Sequence, residues 1–327
     1  MIKKEKNENY VLIIGSSNMD LNIYSKRLPN PGETVTGGTF RQFLGGKGAN
    51  QAVASVRSGS KTIFIGKIGT DAFGDQMITQ LTKEGIDMSH VIRDPEHSSG
   101  VAFIMIDENG ENMISVAPGA NFKLTPEEIK KKAELIQKAS AIIVQMEIPI
   151  ETIAEIFNIA AKGKPIKILN PAPLKKIPVS IFKNIDIIIP NRGELLRLHM
   201  LCGYNELRHV EGAEMIIEAS KDIAILGVKA IITTLGNKGS LIYNSEENEI
   251  IEVPAFKVDA IDTVGAGDCF NGVLASKLCQ GTILSKAVKY ANAAASIAVT
   301  RRGAQASMPS QEEIEEQFKK YNKLINP

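Results

Sequence analysis

The chain has 327 residues, with 38 lysines and arginines set against 37 aspartates and glutamates, for a net charge of +1. That balance lacks the basic footprint of a nucleic-acid binder, and the lysines are scattered rather than striped. Hydrophobic residues make up 43%, average for a soluble globular protein long enough to bury a core without disulfides or a structural metal.

In chain order, short apolar runs recur with amphipathic stretches between them. Val11–Ile14, Thr62–Ile65, Ala141–Val144, Ile166–Leu169, Ile185–Ile189 and Ala230–Thr234 read as buried strands. Between them, helices are expected over Ala49–Arg57, Phe73–Glu84, Pro126–Lys138, Ile150–Lys162, Gly193–Leu201 and Ala213–Leu226. Continuous apolar strands alternating with helices predict an α/β fold, a central mostly parallel sheet covered on both faces. After Asp262 the pattern turns helical, over about Ala266–Cys279, Leu284–Thr300 and Gln311–Lys323.

Two segments break the alternation. Leu21–Leu44 holds Leu21–Tyr24 and Glu33–Thr36 around the turn former Pro29-Asn-Pro-Gly32. Ser99–Val116 holds Val101–Ile106 and Asn112–Val116 around Asn109-Gly110, a strong hairpin signal. Together they predict a small antiparallel sheet standing off the main one as a lid. Residues 1–327 read as a single domain with lid segments at about 21–44 and 99–116.

The odd number of cysteines (Cys202, Cys269, Cys279) forms no CxxC pair, and the histidines form no HExxH pair, so neither a disulfide framework nor a zinc site is expected. The charged start Met1–Tyr10 is no signal peptide, and no apolar run approaches the roughly 18 residues of a membrane helix. A cytoplasmic location follows as an expectation.

The most informative segment is Asp262-Thr-Val-Gly265-Ala266-Gly267-Asp268, which runs straight into a helix. Its glycines let successive N–H groups face one concave space, an anion nest at a helix N-terminus. A bound anion would repel Asp268, unless that carboxylate takes a proton from a nucleophile attacking the anion. The plainer alternative is a carboxylate that merely complements the helix N-terminus.

Gly45-Gly46-Lys47-Gly48-Ala49-Asn50 is a second glycine-rich turn. It is not a Walker loop, because Arg41 stands where the first glycine belongs and Gly48 follows the lysine. Lys47 and Asn50 offer donors there. Asn18 and Asp20 follow the first strand and could hold hydroxyls or simply build a turn. Glu147, Asn191 with Glu194, and Thr234 with Gly236 and Gly239 likewise lie just beyond strands. Ligands of open α/β sheets gather at those carboxyl ends, so the set describes one crevice.

Taken in order from about Tyr10 to Gln317, these motifs resemble the ribokinase (PfkB-type carbohydrate kinase) family. Gly45–Asn50 is similar to its N-terminal motif and Asp262–Asp268 to its C-terminal one. The resemblance implies a parallel sheet with a β lid over a sugar, and an ATP-dependent kinase in which Asp268 deprotonates the sugar hydroxyl. The amides of Gly265, Ala266 and Gly267 would hold the migrating phosphoryl group, and Asn191 and Glu194 would organise Mg2+ and phosphates. Arg192-Gly193 is an unusual filler between them. Asn18, Asp20, Gly46, Lys47, Asn50 and Glu147 would bind ribose, whose O5 hydroxyl is the expected acceptor. ATP would lie along Asn191, Thr234, Gly236, Gly239 and Gly267, with Asn292 near the adenine.

Asp262, Val264, Ala298, Arg301, Gly303 and Ser307 resemble the family's activating K+ site; an ion pair of Asp262 with Arg301 or Arg302 is the simpler alternative. A homodimer through the lid is expected, because Val101, Phe103 and Met105 alternate on one face of an exposed sheet. Other substrates of the same class are 2-deoxyribose or a nucleoside. A non-catalytic sugar-binding protein would have no use for Asp268 beside an anion nest.

Overall fold

The structure is a computed structural model that describes residues 9–207 and 210–325. The chain enters through β1 (Val11–Ile14), runs out along β2 (Asn18–Tyr24), and returns by β3 (Thr39–Gly45) into α1 (Lys47–Arg57) and β4 (Thr62–Ile65). β5 (Lys67–Gly69) and β6 (Ile92–Asp94) flank α2 (Ala72–Lys83) and pair parallel. β7 (Gly100–Ile106) and β8 (Asn112–Ala117) follow, then α3 (Pro126–Lys130), α4 (Ala133–Lys138), β9 (Ala141–Gln145), α5 (Ile150–Ala160), β10 (Ile166–Asn170) and β11 (Ile187–Ile188). Next come α6 (Arg192–Leu201), α7 (Gly212–Ile225), β12 (Ala230–Thr234), β13 (Ser240–Asn244) and β14 (Glu249–Val253). Helices α8 (Ala266–Cys279), α9 (Leu284–Ala298) and α10 (Gln311–Ile325) complete the chain.

The main sheet has the order β14-β13-β12-β11-β10-β9-β1-β4. From β4 to β12 every pairing is parallel, and the hairpin β13–β14 closes one edge antiparallel. Successive side chains of a strand point to opposite faces, so β1 feeds two cores. Val11 and Ile13 pack with residues of α1, α8 and α9, whereas Leu12 and Ile14 pack with residues of α5 and α7. That two-sided burial is why these strands are apolar without alternation.

The second sheet has the order β3-β2-β7-β8 and forms the lid. It differs from expectation in two ways. The strand expected at Glu33–Thr36 lies at Thr39–Gly45 instead. Glu33 closes the preceding turn, because its carboxylate takes the Asn30 backbone N–H (3.0 Å) and the Arg27 guanidinium. The sheet is also mixed rather than antiparallel. β2 and β7 both leave the root outward, with Asn18 beside Gly100, and therefore pair parallel. The helix expected over Pro126–Lys138 is broken by a turn at Lys131–Lys132.

Candidate active site

The start of α1 is pressed against the end of β1, where the Ala49 N–H donates to the Ser16 carbonyl at 2.9 Å. Gly46 has φ 87°, and a Cβ on Gly48 would lie 2.7 Å from the Ser16 nitrogen. Only glycine tolerates both demands cheaply. This contact sets Lys47 next to Glu147, whose carboxylate accepts the Lys47 backbone N–H (2.9 Å) and the Ser16 hydroxyl.

Asp268 lies in the first turn of α8 and is buried. Its two oxygens accept from Asn50 Nδ2 and Gln51 Nε2, each at 2.9 Å. Gln51 Nε2 also donates to Asn170 Oδ1 (3.1 Å), and Asn170 Nδ2 donates to the Ile189 carbonyl (3.0 Å). Gln145 Nε2 donates to Gln51 Oε1 at 2.6 Å. A buried chain of side-chain amides thus aims donors at the carboxylate from the ends of β9, β10 and β11. Asn50 is braced in turn by Gln305 Nε2, 3.1 Å from its Oδ1. Sequence reasoning missed Gln51, Gln145, Asn170 and Gln305. The available signal for Gln145 and Asn170 was a lone amide closing an apolar strand.

Ahead of α8, Gly265 takes a left-handed conformation (φ 76°). A Cβ there would lie 2.9 Å from the Ala304 Cα, so the nest of residues 265–267 rests on the loop after α9.

Asn18 and Asp20 share one face of β2 by their two-residue spacing. Burial pushes the Asp20 carboxyl up to about 7, and the Glu147 and Asp268 carboxylates add to the rise. The Asp268 carboxylate raises the Lys47 ammonium against the opposing effect of burial, with Glu147 and Glu194 adding. The lid root, the start of α1 and the start of α8 therefore share one electrostatic site.

On the other side of the crevice, Asn191 and Glu194 form a capping box. Glu194 N–H donates to Asn191 Oδ1, and Asn191 N–H to Glu194 Oε2, both at 2.8 Å. The Asn-x-x-Glu spacing is thus already used in starting α6. Thr234 bridges to Asn191 across the strand ends. Gly236 and Gly239 both have positive φ in the turn after β12. Asn292 is buried and engaged within the protein. Its Oδ1 accepts from Ser240 Oγ (2.8 Å) and its Nδ2 donates to the Val253 carbonyl (3.1 Å), bracing the edge hairpin on α9.

Asp262 joins two loops, accepting the Val264 N–H (3.0 Å) and the Gly303 N–H (2.9 Å). Arg301 pairs with Glu313 instead of Asp262. Ser307 is buried, and its hydroxyl donates to the Ala304 carbonyl at 2.7 Å.

A buried carboxylate beside a glycine-turned helix N-terminus, facing a lysine under a lid, defines a phosphotransferase acting on a hydroxyl. The model of the pfkB family carbohydrate kinases matches residues 8–311, and the chain belongs to that family. It is a sugar kinase. It is 37% identical over 308 residues to a ribokinase of Staphylococcus aureus, covering 94% of this chain and 98% of that one. It is also 37% identical over 307 residues to a deoxyribokinase of Salmonella typhi, covering 94% and 97%. The crystal structure of a Thermotoga maritima ribokinase superposes with a TM-score of 0.86 at 37% identity, over 95% of this chain and 99% of that one. An Arabidopsis thaliana ribokinase complexed with ribose and ATP gives 0.87 at 30% identity, over 95% and 99%.

Proposed function

We propose that the protein is an ATP-dependent ribokinase, moving the γ-phosphoryl group of ATP to the O5 hydroxyl of D-ribose. The observation that carries this reading is the placement of Asp268, buried at the nest of Gly265–Gly267 and held by two amide donors. Ribose lies between the lid root and the strand ends, against Asn18, Asp20, Gly46, Lys47 and Glu147. Asp268 takes the O5 proton as that oxygen attacks, and Asn50 and Gln51 keep its carboxylate aimed. The 265–267 amides sit where charge develops on the transferring oxygens, and the Ala266 N–H, which donates to the Thr263 carbonyl at 3.2 Å, would exchange that bond for the phosphoryl oxygen. ATP runs along Asn191, Thr234, Gly236 and Gly239, with its phosphates ending at Gly267 and its base near the hairpin that Asn292 braces. The whole chain acts as one catalytic unit in the cytoplasm, and no helix among the described residues is long and apolar enough to cross a membrane.

Mg2+ would be held through phosphate oxygens and water, with Asn191 and Glu194 outside it, because no three His, Cys, Asp or Glu side chains converge among the described residues. Bound there, it supplies charge neutralisation of the phosphates. For K+, Asp262 and the backbone oxygens of Val264, Ala298, Arg301 and Gly303, with the Ser307 hydroxyl, offer the hard oxygen donors such an ion takes.

An ADP-release assay over ribose, 2-deoxyribose and nucleosides tests the substrate. If Asn18 or Asp20 holds the 2-hydroxyl, 2-deoxyribose leaves a buried polar group unpaired and loses roughly 5- to 150-fold in kcat/KM. Equal efficiency would favour the second reading, a deoxyribokinase, which the Salmonella relative supports at the same identity as the Staphylococcus one.

We also propose a homodimer through the lid. Ile23 stands beside Phe40 and Met105, and Met105 beside Met113, on the lid face opposite Asn18 and Asp20. Phe40 is 59% exposed, and Phe103, also on this face, 55%. Exposed aromatic and aliphatic side chains clustered on a sheet face mark an interaction surface. Light scattering at micromolar concentration should give twice the chain mass, and Phe103→Glu should shift it to one. A monomeric parent would remove the proposal.

A further inference from the structure

The orientation of the Asn18 amide in the sugar site is fixed by a neighbour outside the motifs. Asn121 lies in the turn Gly119–Lys123 that follows the last lid strand, and it is 2% exposed. The Ser17 N–H donates to its Oδ1 at 3.0 Å, and its Nδ2 donates to the Ser17 carbonyl at 3.1 Å. A backbone N–H can only donate and a carbonyl can only accept. The Asn121 amide therefore has one permitted orientation, which resolves the usual ambiguity between its oxygen and nitrogen. Its Nδ2 has a second hydrogen, donated to Asn18 Oδ1 at 2.8 Å. That bond holds the Oδ1 end of the Asn18 amide toward Asn121, so the Nδ2 end, with its two donors, is turned the other way.

Gly100 gives an independent sign that this bond is built in. It stands beside Asn18 where β2 and β7 leave the lid root, and it is not among the glycines with positive φ. A Cβ there would collide with both Asn18 Oδ1 and Asn121 Nδ2. The bond crosses the face of Gly100, and glycine there leaves it room.

We infer that Asn121 is a positioning residue that sets the polarity of sugar recognition. With its Oδ1 turned to Asn121, Asn18 presents its Nδ2 donors to the sugar, and the hydroxyl it meets accepts. Asp20, two residues on along the same face, then receives the proton of that hydroxyl or its neighbour. A hydroxyl can accept from Asn18 and donate to Asp20 at once, whereas a hydrogen or keto oxygen at that carbon cannot. Because Asn121 lies in the turn after β8 and Asn18 opens β2, the same bond joins the two ends of the lid root. This inference rests on the sugar-kinase reading of Asn18.

The test is steady-state kinetics of Asn121→Asp with whichever pentose the wild type phosphorylates fastest, so that it stands even if ribose is not the substrate. A carboxylate cannot donate to Asn18 Oδ1. The Asn18 amide turns over, donates to the new carboxylate and presents its oxygen to the sugar. The expected result is a pentose KM raised by roughly 5- to 150-fold, the range for a mismatched buried hydrogen bond, with the KM for ATP unchanged. Discrimination against the analogue lacking the recognised hydroxyl should fall with it. A role in folding alone would lower the active fraction, reducing the apparent kcat for every substrate with both KM values intact. Gly100→Ala wedges a Cβ into the same bond while leaving both asparagines in the sequence and should show the same split, which keeps the test decisive if Asn121→Asp fails to fold. An unchanged pentose KM in the folded variants, or equal rises for pentose and ATP, would overturn the inference.

Discussion

Asp268→Asn should lower kcat by at least ~10²-fold, the lower end for losing a positioned general base. The substitution keeps size and shape but exchanges two acceptors for one acceptor and one donor. Gln51 is locked by Asn170 and the Ile189 carbonyl, so the new side chain must turn its oxygen to Gln51. Its amide nitrogen then faces Asn50 Nδ2, which has to rotate and give up its bond from Gln305. Asn50 therefore absorbs the mismatch locally, and the fold survives. Binding of sugar and ATP, measured by calorimetry, should stay within a few-fold of the parent. Near-normal turnover in a variant that binds both substrates would remove Asp268 as the base. Weak binding with normal turnover at saturation would place it in recognition instead.

The parts of this molecule that could be read from sequence are those whose cause is local. Val11–Ile14 and Ala141–Val144 are apolar on both faces because helices cover both, and burial of that kind shows directly in a run of residues. The glycines of the two motifs mark backbone demands that side chains cannot meet, as at Gly46 and Gly265. Glu33–Thr36 shows the converse. Its alternation is strand-like, but a turn partner six residues back, Arg27, takes Glu33 out of any ladder. The edge strands β13 and β14 escaped notice although Asn248, with φ 49°, marks their turn. Least legible were the amides that aim Asp268 and Asn18. Gln51 meets Asn170 across 119 residues and Asn121 meets Asn18 across 103. A lone amide at a strand end or in a turn carries no trace of such a partner, since only the folded strand order brings them together.

The second large effect expected is activation by K+ through Asp262. The segment before α8 is stitched to the loop after α9: the N–H groups of Ile261 and Asp262 both reach the Val299 carbonyl, at 2.7 and 3.1 Å. The Asp262 carboxylate adds bonds to Val264 and Gly303, and Gly265 rests on Ala304. The anion nest is therefore only as well placed as the contact between these loops. Among the described residues Asp262 makes no ion pair with Arg301 or Arg302, and Arg301 is committed to Glu313. The Ala298 carbonyl accepts the Arg301 N–H, at 3.0 Å, and one such bond leaves it a second lone pair. A large monovalent cation among Asp262, Val264, Ala298, Arg301, Gly303 and Ser307 would balance the charge and lock both loops. Its effect should fall on kcat, since misplacing a single oxyanion donor can cost ~10²-fold, and leave the KM for the sugar nearly unchanged. Initial rates against potassium chloride, with sodium or choline chloride holding ionic strength, measure this. A thermal transition that rises with K+ but not with choline gives a readout independent of turnover. Asp262→Ala should abolish both responses while the protein remains folded. Identical rates and melting temperatures in all three salts would show that the loops need no ion, and that the two amide bonds to Asp262 suffice to hold the nest.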